Sequence, residues 1–318
     1  MTEVKTARPL SISVVVPTRN RHGFVRELIV AILEGTHVPA EIVVVDQSDT
    51  PDVELESFPT ERGCAVVHRP SPTRGSSAAR NEGIRAARND VLAFVDDDVR
   101  PAPTWLVSLA STLTAAGDQA VVTGQVRAGE PEATGGFAPS LKPAEHVAVY
   151  QGRAAANVLW TNNMAMFRAA VDDIGFFDER LGAGNKRFPG GEDNDFCFRL
   201  LEAGYRIEYQ PEAVVFHRAW RPKRDYLGLR WRYGRGQGAF YGKHLRLRDP
   251  YILHQLGHHL VGSCGEVVRN ARRDPRLAAG SAANAAGALT GTVDWIVSER
   301  LFGRSRRATR EPSRPDEQ

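Results

Sequence analysis

Three consecutive carboxylates, Asp96-Asp97-Asp98, end an apolar run, Val91-Leu92-Ala93-Phe94-Val95. Side by side their charges repel. At the tip of a buried strand they call for a cation. Hard divalent ions such as Mg2+ or Mn2+ take carboxylate oxygens and commonly hold substrate phosphates as well. Standing alone, the triplet reads equally as a solvated acidic turn, so its neighbours must decide. A second acidic pair, Glu192-Asp193, follows Pro189-Gly190-Gly191 and opens a predicted helix. Acids in a first helical turn also serve the helix dipole, so this pair does not decide the matter either. His217 closes the apolar run Val214-Val215-Phe216, where a lone histidine is as readily structural as functional.

The elements that must position these groups are legible from periodicity. Ser11 to Pro17 and Glu41 to Val45 are unbroken β-branched or apolar runs, which read as strands buried on both faces. Cys64 to Val67 is a short third strand, and Val91 to Val95 delivers the aspartates. Phe24 to Leu33, Ser76 to Ala87 and Trp105 to Ala116 carry helical spacing, and Ala120 to Val126 is a further strand. Strands and helices alternating at this pace predict an α/β fold: a mostly parallel central sheet with helices on both faces. Ligands of such sheets bind beyond the carboxyl ends of the strands. Pro17-Thr18, Asp46 and Asp96 to Asp98 all fall at such ends. In the second half, Ala128 to Ala156 reads as a long loop region and Leu159 to Phe167 as an edge strand. Glu192 to Ala203 reads as a helix, Ala213 to Phe216 as a late strand, and the chain from Tyr226 as helical and basic.

Phosphate handling by glycine is absent where it would be needed. The first strand runs into Pro17-Thr18-Arg19-Asn20-Arg21 with no glycine triplet, and there is no Walker A sequence. Gly234-x-Gly236-x-Gly238 lies far downstream among basic and aromatic residues. Diphosphate charge would therefore fall to a metal, which points back to Asp96 to Asp98.

The pieces VVVPTRNR (14–21), EIVVVDQSD (41–49), GSSAARNEGI (75–84), VLAFVDDDVRP (91–101) and GGEDNDFCFRLLEAGYRI (190–207) occur in that order. Together they resemble a family 2 glycosyltransferase of the GT-A fold, over roughly residues 10 to 220. The resemblance implies an inverting enzyme that uses nucleotide-diphosphate sugars, UDP-sugar first among them, with Mg2+ or Mn2+. Carried over position by position, Pro17, Thr18, Arg19, Asp46, Arg80, Asp96 and Asp97 fall on the donor side. Thr18 and Asp46 match positions that meet base and ribose, and Gln47 stands where the family often has a second acid. Asp98, Asp96 and His217 match the metal side. Asp193 matches the catalytic base, with Glu192 beside it. An acceptor hydroxyl attacking in line must lose its proton to such a carboxylate. Trp160, Asn162 and Asn163 fall on the acceptor wall. Two rivals stand beside this reading: a nucleotidyltransferase on a similar sheet, and a catalytically inactive nucleotide-sugar-binding module.

Composition sets the outer bounds. The chain has 318 residues, 42% hydrophobic and 25% charged, with a net charge of +3. That is ordinary globular composition and too little charge to imply nucleic acid. Cys64, Cys197 and Cys264 lie too far apart for a metal or disulfide framework and suit a reducing compartment. The expected division is a flexible start (1–10), a catalytic domain (11–222), a helical basic region (223–303) and a disordered tail (304–318). No signal peptide and no conventional membrane span are expected, which predicts a cytoplasmic protein. His254, His258 and His259 have helical spacing but lack the glutamate of a zinc-protease helix. Leu277 to Val293 carries no charge, is rich in Ala and Gly, and is flanked by arginines. Gly287 and Gly291 have the spacing of close helix packing, and the arginines allow a peripheral contact with anionic lipid. The acceptor stays open among sugar, lipid-linked and small-molecule hydroxyls.

Overall fold

The protein is described from a computed structural model that covers residues 10–58, 62–130, 136–153, 157–218, 220–246 and 248–307. The expected flexible start lies outside these residues apart from Leu10, as does the expected disordered tail apart from residues 304–307, which are helical. The chain divides into two compact units. One comprises Met1–Asn185 with Glu192–Asp225; the other comprises Lys186–Gly191 with Tyr226–Gln318.

The first unit contains, in chain order, β1 (Ile12–Thr18), α1 (His22–Leu33), β2 (Glu41–Asp46), β3 (Ala65–Pro70), α2 (Ser76–Ala86), β4 (Val91–Val95), β5 (Val99–Pro101), α3 (Trp105–Ala116), β6 (Ala120–Ala128), β7 (Ala148–Tyr150), β8 (Asn163–Phe167), α4 (Ala169–Ile174), α5 (Glu192–Glu202) and β9 (Arg206–His217). The strands form one sheet in the order β3-β2-β1-β4-β8-β6-β9-β5, with β7 also paired to β9. β3, β2, β1 and β4 are parallel neighbours, as are β6 and β9. β8 runs antiparallel to β4 and β6, and β9 is antiparallel to β5 and β7. The sheet is thus mixed, with its parallel block on the N-terminal side.

Alternate residues of each strand feed opposite faces. Ile12, Val14 and Val16 pack with Val25, Leu28 and Ile29 of α1 and Trp105, Leu109 and Leu113 of α3. Val15, Val43 and Val45 pack with Ala79 and Ile84 of α2 and Phe196 and Leu200 of α5. Helices therefore cover both faces, as the periodicity predicts. The expectation for 159–167 is corrected. Asn163–Phe167 is an interior strand between β4 and β6, with four of its five residues buried. The apolar NMAMF segment is buried there between two sheet neighbours. The late strand begins at Arg206, seven residues earlier than expected. Pro211-Glu212 interrupts its alternation, and pairing with β6 shifts register between Gly124 and Gln125.

Gly83 shows how tightly α2 lies on β1. A Cβ there would meet Val15 Cγ1 at 2.3 Å. Gly83→Ala should destabilise the fold despite alanine's better helix propensity, since overpacking costs about 1–3 kcal/mol. At Gly257, in an exposed helix with nothing within 4 Å, the same change should stabilise by about 1 kcal/mol. Urea unfolding of the two variants checks the opposite signs. A Gly83→Ala protein as stable as wild type would refute the packing argument.

The second unit holds α6 (Tyr226–His244), α7 (Tyr251–Asn270) and α8 (Pro275–Arg307). α6 and α8 touch backbone to backbone. A Cβ on Gly234 would lie 2.1 Å from Asn284 O, and one on Gly238 2.1 Å from Ala288 O. From the other side, Gly287 and Gly291 face the backbone of Trp231 and Arg235. The Gly234-x-Gly236-x-Gly238 sequence is therefore a packing surface. It explains why the glycines sit in a helix far from any strand end. Among the described residues, no helix is long and apolar enough to cross a membrane.

Candidate active site

Parallel register sets Thr18 against Asp46 at the ends of β1 and β2, with the end of β4 next to them. Because β8 is antiparallel to β4, Asn163 lies opposite Val95. The turn that precedes Asn163 thus reaches the same edge as Asp96 to Asp98.

The aspartates are divided among different partners. Arg21 Nη1 donates to Asp97 Oδ1 and to Asp98 Oδ2, 2.8 Å each. Thr18 Oγ1 donates to Asp97 Oδ2 at 2.8 Å. Burial pushes the Asp97 carboxyl up to about 6, against the pull of Arg21. For Asp98 burial also acts upward, but the hydrogen bond and charge of His217, then Arg21, outweigh it and hold the carboxyl at about 2. Arg80 is buried and takes Asp96, its Nη2 donating to Oδ1 at 2.7 Å. Arg80 Nη1 also lies 3.8 Å from Glu192 Oε1, while Nε and Nη1 have no hydrogen-bond acceptor. Burial alone would lower the Arg80 pKa; Asp96, Glu192 and Asp193 raise it.

Do these residues fit a divalent cation? Among the described residues no group of three or more His, Cys, Asp or Glu side chains stands ready as a cage. What exists is a partial donor set. His217 Nδ1 lies 3.2 Å from Pro139 O, a carbonyl that can only accept, so Nδ1 carries a proton and Nε2 is turned toward Asp98. Nε2 lies 3.4 Å from Asp98 Oδ1. A ring lone pair and a carboxylate oxygen can face each other only with a positive charge between them, whether a proton or a metal ion. Carboxylate oxygens would suit Mg2+ or Mn2+, and an imidazole beside them would favour Mn2+ over the harder Mg2+.

Asp193 stands at the start of α5. Its Oδ1 accepts a hydrogen bond from Thr161 Oγ1. Burial and then the neighbouring charge of Glu192 push its carboxyl up to about 7, with Arg80 pulling the other way. Glu192 accepts from Ser76 Oγ at 3.3 Å. Ser76, Arg80, Asp96, Thr161, Glu192 and Asp193 thus form one linked polar group on the carboxyl edge of the sheet.

The other predicted residues are placed as follows. Pro17 lies in β1, and Arg19 is exposed beside Asp49 at 3.6 Å. Asp46 is fully buried with both oxygens engaged. Oδ1 accepts from Ser48 N at 2.9 Å, and Oδ2 accepts from Asp52 N at 3.0 Å and faces His68 Nε2 at 3.1 Å. It orders the loop after β2. Gln47 donates through Nε2 to Thr73 Oγ1 and Gly75 O, and accepts through Oε1 from Gly75 N. A carboxylate could not donate, which accounts for an amide at this position. Asn163 is a core brace. Its Oδ1 accepts from Trp105 Nε1, and its Nδ2 donates to Gln125 O and Ala213 O beside the β6/β9 register shift. Asn162 is buried with an unpartnered Oδ1. Trp160 is half-buried, with the Lys142 ammonium 4.7 Å from its ring centre. His254 and His258 pack ring against ring on the exposed side of α7, with centres 4.4 Å apart. Sequence reasoning assigned no role to Arg21 or Thr161. Arg21 follows β1 at the same carboxyl edge, and that position was the available signal.

Comparison with known proteins bears on family and fold. The chain is 30% identical over 250 residues to the pre-mycofactocin glycosyltransferase of Mycobacterium tuberculosis. That match covers 76% of this chain and 50% of the relative, so the chain spans half the relative's length. Among solved structures it resembles the mannosyltransferase PcManGT of Pyrobaculum calidifontis in complex with GDP-Man and Mn2+. The TM-score is 0.56 at 19% identity, covering 96% of this chain and 82% of that one. It also resembles S. aureus TarS residues 1–349 in complex with UDP-GlcNAc, with a TM-score of 0.51 at 16% identity and 92% of each chain covered. The sequence profile described as "Glycosyl transferase family 2" matches residues 13–175, just over half of the chain. The chain belongs to glycosyl transferase family 2.

Proposed function

We propose that the protein is an inverting glycosyltransferase that moves a sugar from a nucleotide-diphosphate donor, a UDP-sugar in the first instance, to an acceptor hydroxyl. The observation that carries this reading is the linkage of the two carboxylate groups through Arg80, with Asp96 on one side and Glu192-Asp193 on the other. Thr18, Arg19, Asp46, Arg80, Asp96 and Asp97 form the donor side. Asp98 and His217, with Asp96, would hold Mg2+ or Mn2+, which would neutralise charge on the departing diphosphate. Asp193 takes the proton of the attacking hydroxyl, and Thr161 fixes which of its oxygens is free to do so. Trp160 and Asn162 face the acceptor. Residues 11–222 are the catalytic part and 223–303 a helical basic extension. Thermal-shift measurement with UDP-GlcNAc and GDP-mannose, with and without Mn2+, tests the reading. Neither sugar nucleotide raising the melting temperature in Mn2+ would count against it.

The acceptor side of this reading includes a cytoplasmic protein touching an anionic membrane. In α7, Leu253, Val261 and Val268 are 57%, 72% and 78% exposed, and the helix runs into exposed Arg269, Arg272 and Arg273. Each arginine near anionic lipid contributes about 1 kcal/mol. The expected result is flotation with phosphatidylserine vesicles at low salt, weakened when Arg272 and Arg273 are both changed to Glu. Cutting the chain at Asp274 is a poorer test, because it removes α8 from its packing on α6. No flotation at low salt would remove the membrane contact.

A further inference from the structure

The segment that leads into the base does not belong to the sheet unit. Lys186–Gly191 clusters with α6 to α8, and the chain returns to the sheet unit at Glu192. A charged clasp, a ring contact and a glycine contact hold this strap. Arg187 Nη2 donates to Asp294 Oδ1 at 2.5 Å, and Arg235 Nη2 donates to Asp294 Oδ2 at 2.5 Å. Arg235 Nη2 donates as well to Arg187 O at 3.1 Å. Phe188 is buried with its ring centre 5.1 Å from that of Trp295, itself 2% exposed. Gly190 and Gly191 lie against Gly236 of α6. A Cβ on Gly236 would meet Gly190 C at 2.4 Å, and one on Gly191, whose φ is +84°, would meet Gly236 O at 2.3 Å.

We propose that Asp294, Trp295 and Gly236 are positioning residues for Asp193, acting through the strap. The link from strap to base is covalent: Gly191 is peptide-bonded to Glu192, and Asp193 follows. Six residues held at a charged clasp, a ring contact and a glycine contact leave little freedom to the first turn of α5. A base must sit within hydrogen-bond reach of the proton it takes. A displacement of about 1 Å by a remote change can cost about a hundredfold in rate. Gly236 of α6 and Asp294 and Trp295 of α8 therefore help to set the geometry of the proton transfer. This inference rests on reading Asp193 as the base.

Two variants test it. Gly236→Ala places a better helix former inside α6, so its main conflict is with the strap. Asp294→Asn weakens the clasp at a side chain that is 27% exposed, and it decides the question if Gly236→Ala does not fold. In both, peptides covering 186–193 should exchange amide hydrogens faster by mass spectrometry, while those of β4 are unchanged. Turnover, read as nucleoside diphosphate release from whichever of UDP-GlcNAc or GDP-mannose the wild type uses with Mn2+, should fall about 10- to 100-fold. Donor KM should stay within about twofold. Added to Asp193→Asn, either change should cost nothing more, because both act on one group. Unchanged exchange and turnover in a folded variant would overturn the proposal, as would a further loss in the Asp193→Asn background. If Asp193→Asn alone keeps its rate, the base assignment fails, and the exchange data report separately on the strap.

Discussion

Asp193→Asn should slow sugar transfer by about two to four orders of magnitude, the range for loss of a general base. The amide keeps the shape of the carboxyl and can still accept from Thr161 Oγ1, so the local fold should survive. What it loses is the ability to take a proton. Donor affinity should stay near wild type, since the donor side rests on other residues. The wild-type rate should also rise with pH through about 7. Burial and Glu192 keep the Asp193 carboxyl protonated below that point, and only the ionised form is a base. The stability effect has the opposite sign. A carboxyl raised in the folded state binds its proton more tightly than the unfolded chain does. Its contribution is thus present at low pH and falls between about pH 4 and about 7. Asp193→Asn should flatten both profiles. Transfer at a near-wild-type rate in this variant would move the role to Glu192 or another acid.

Asp98→Ala should abolish metal-dependent donor binding and lower turnover by about a thousandfold or more, the scale of several kcal/mol of charge stabilisation. Asp98 is where Arg21 and His217 converge. Without it Arg21 keeps Asp97 alone, and His217 Nε2 loses the carboxylate it faces. Calorimetric titration of UDP-GlcNAc or GDP-mannose in Mn2+ reads the loss. Excess EDTA should bring the wild-type protein close to the variant. Equally tight wild-type binding in EDTA would eliminate the metal role.

The sheet was legible in the sequence where physical signals are local. The runs at 12–18, 41–46 and 91–95 are unbroken because both faces are buried, and the helices between them keep a 3.6-residue period. The pairing partner of β8 was not legible, because nothing in Asn163–Phe167 says which strands flank it. Chemistry followed the same division. Asp96 to Asp98 and Glu192-Asp193 stand out by charge in apolar or glycine-rich settings. Arg21 and Thr161 look ordinary in sequence, and only the convergence of β1, β4 and the turn before β8 brings them to carboxylates. Asn163 shows the reverse case. Expected at an acceptor wall, it spends its whole amide on the core, because the register shift between β6 and β9 leaves two carbonyls to satisfy.

The glycine seam between α6 and α8 has a consequence for inheritance. Glycines on each half lie against the other's backbone, so neither can change alone: any residue larger than glycine at 234 or 238 meets the backbone of α8. Recombination that brings in α6 from one relative and α8 from another should yield chains that fail to assemble this unit. Exchanges that carry both helices together should be tolerated. α7 exposes more of its surface and can diverge elsewhere, provided that His259 keeps its bonds to Tyr241 and Asn284 and Glu266 its bond to Ser281.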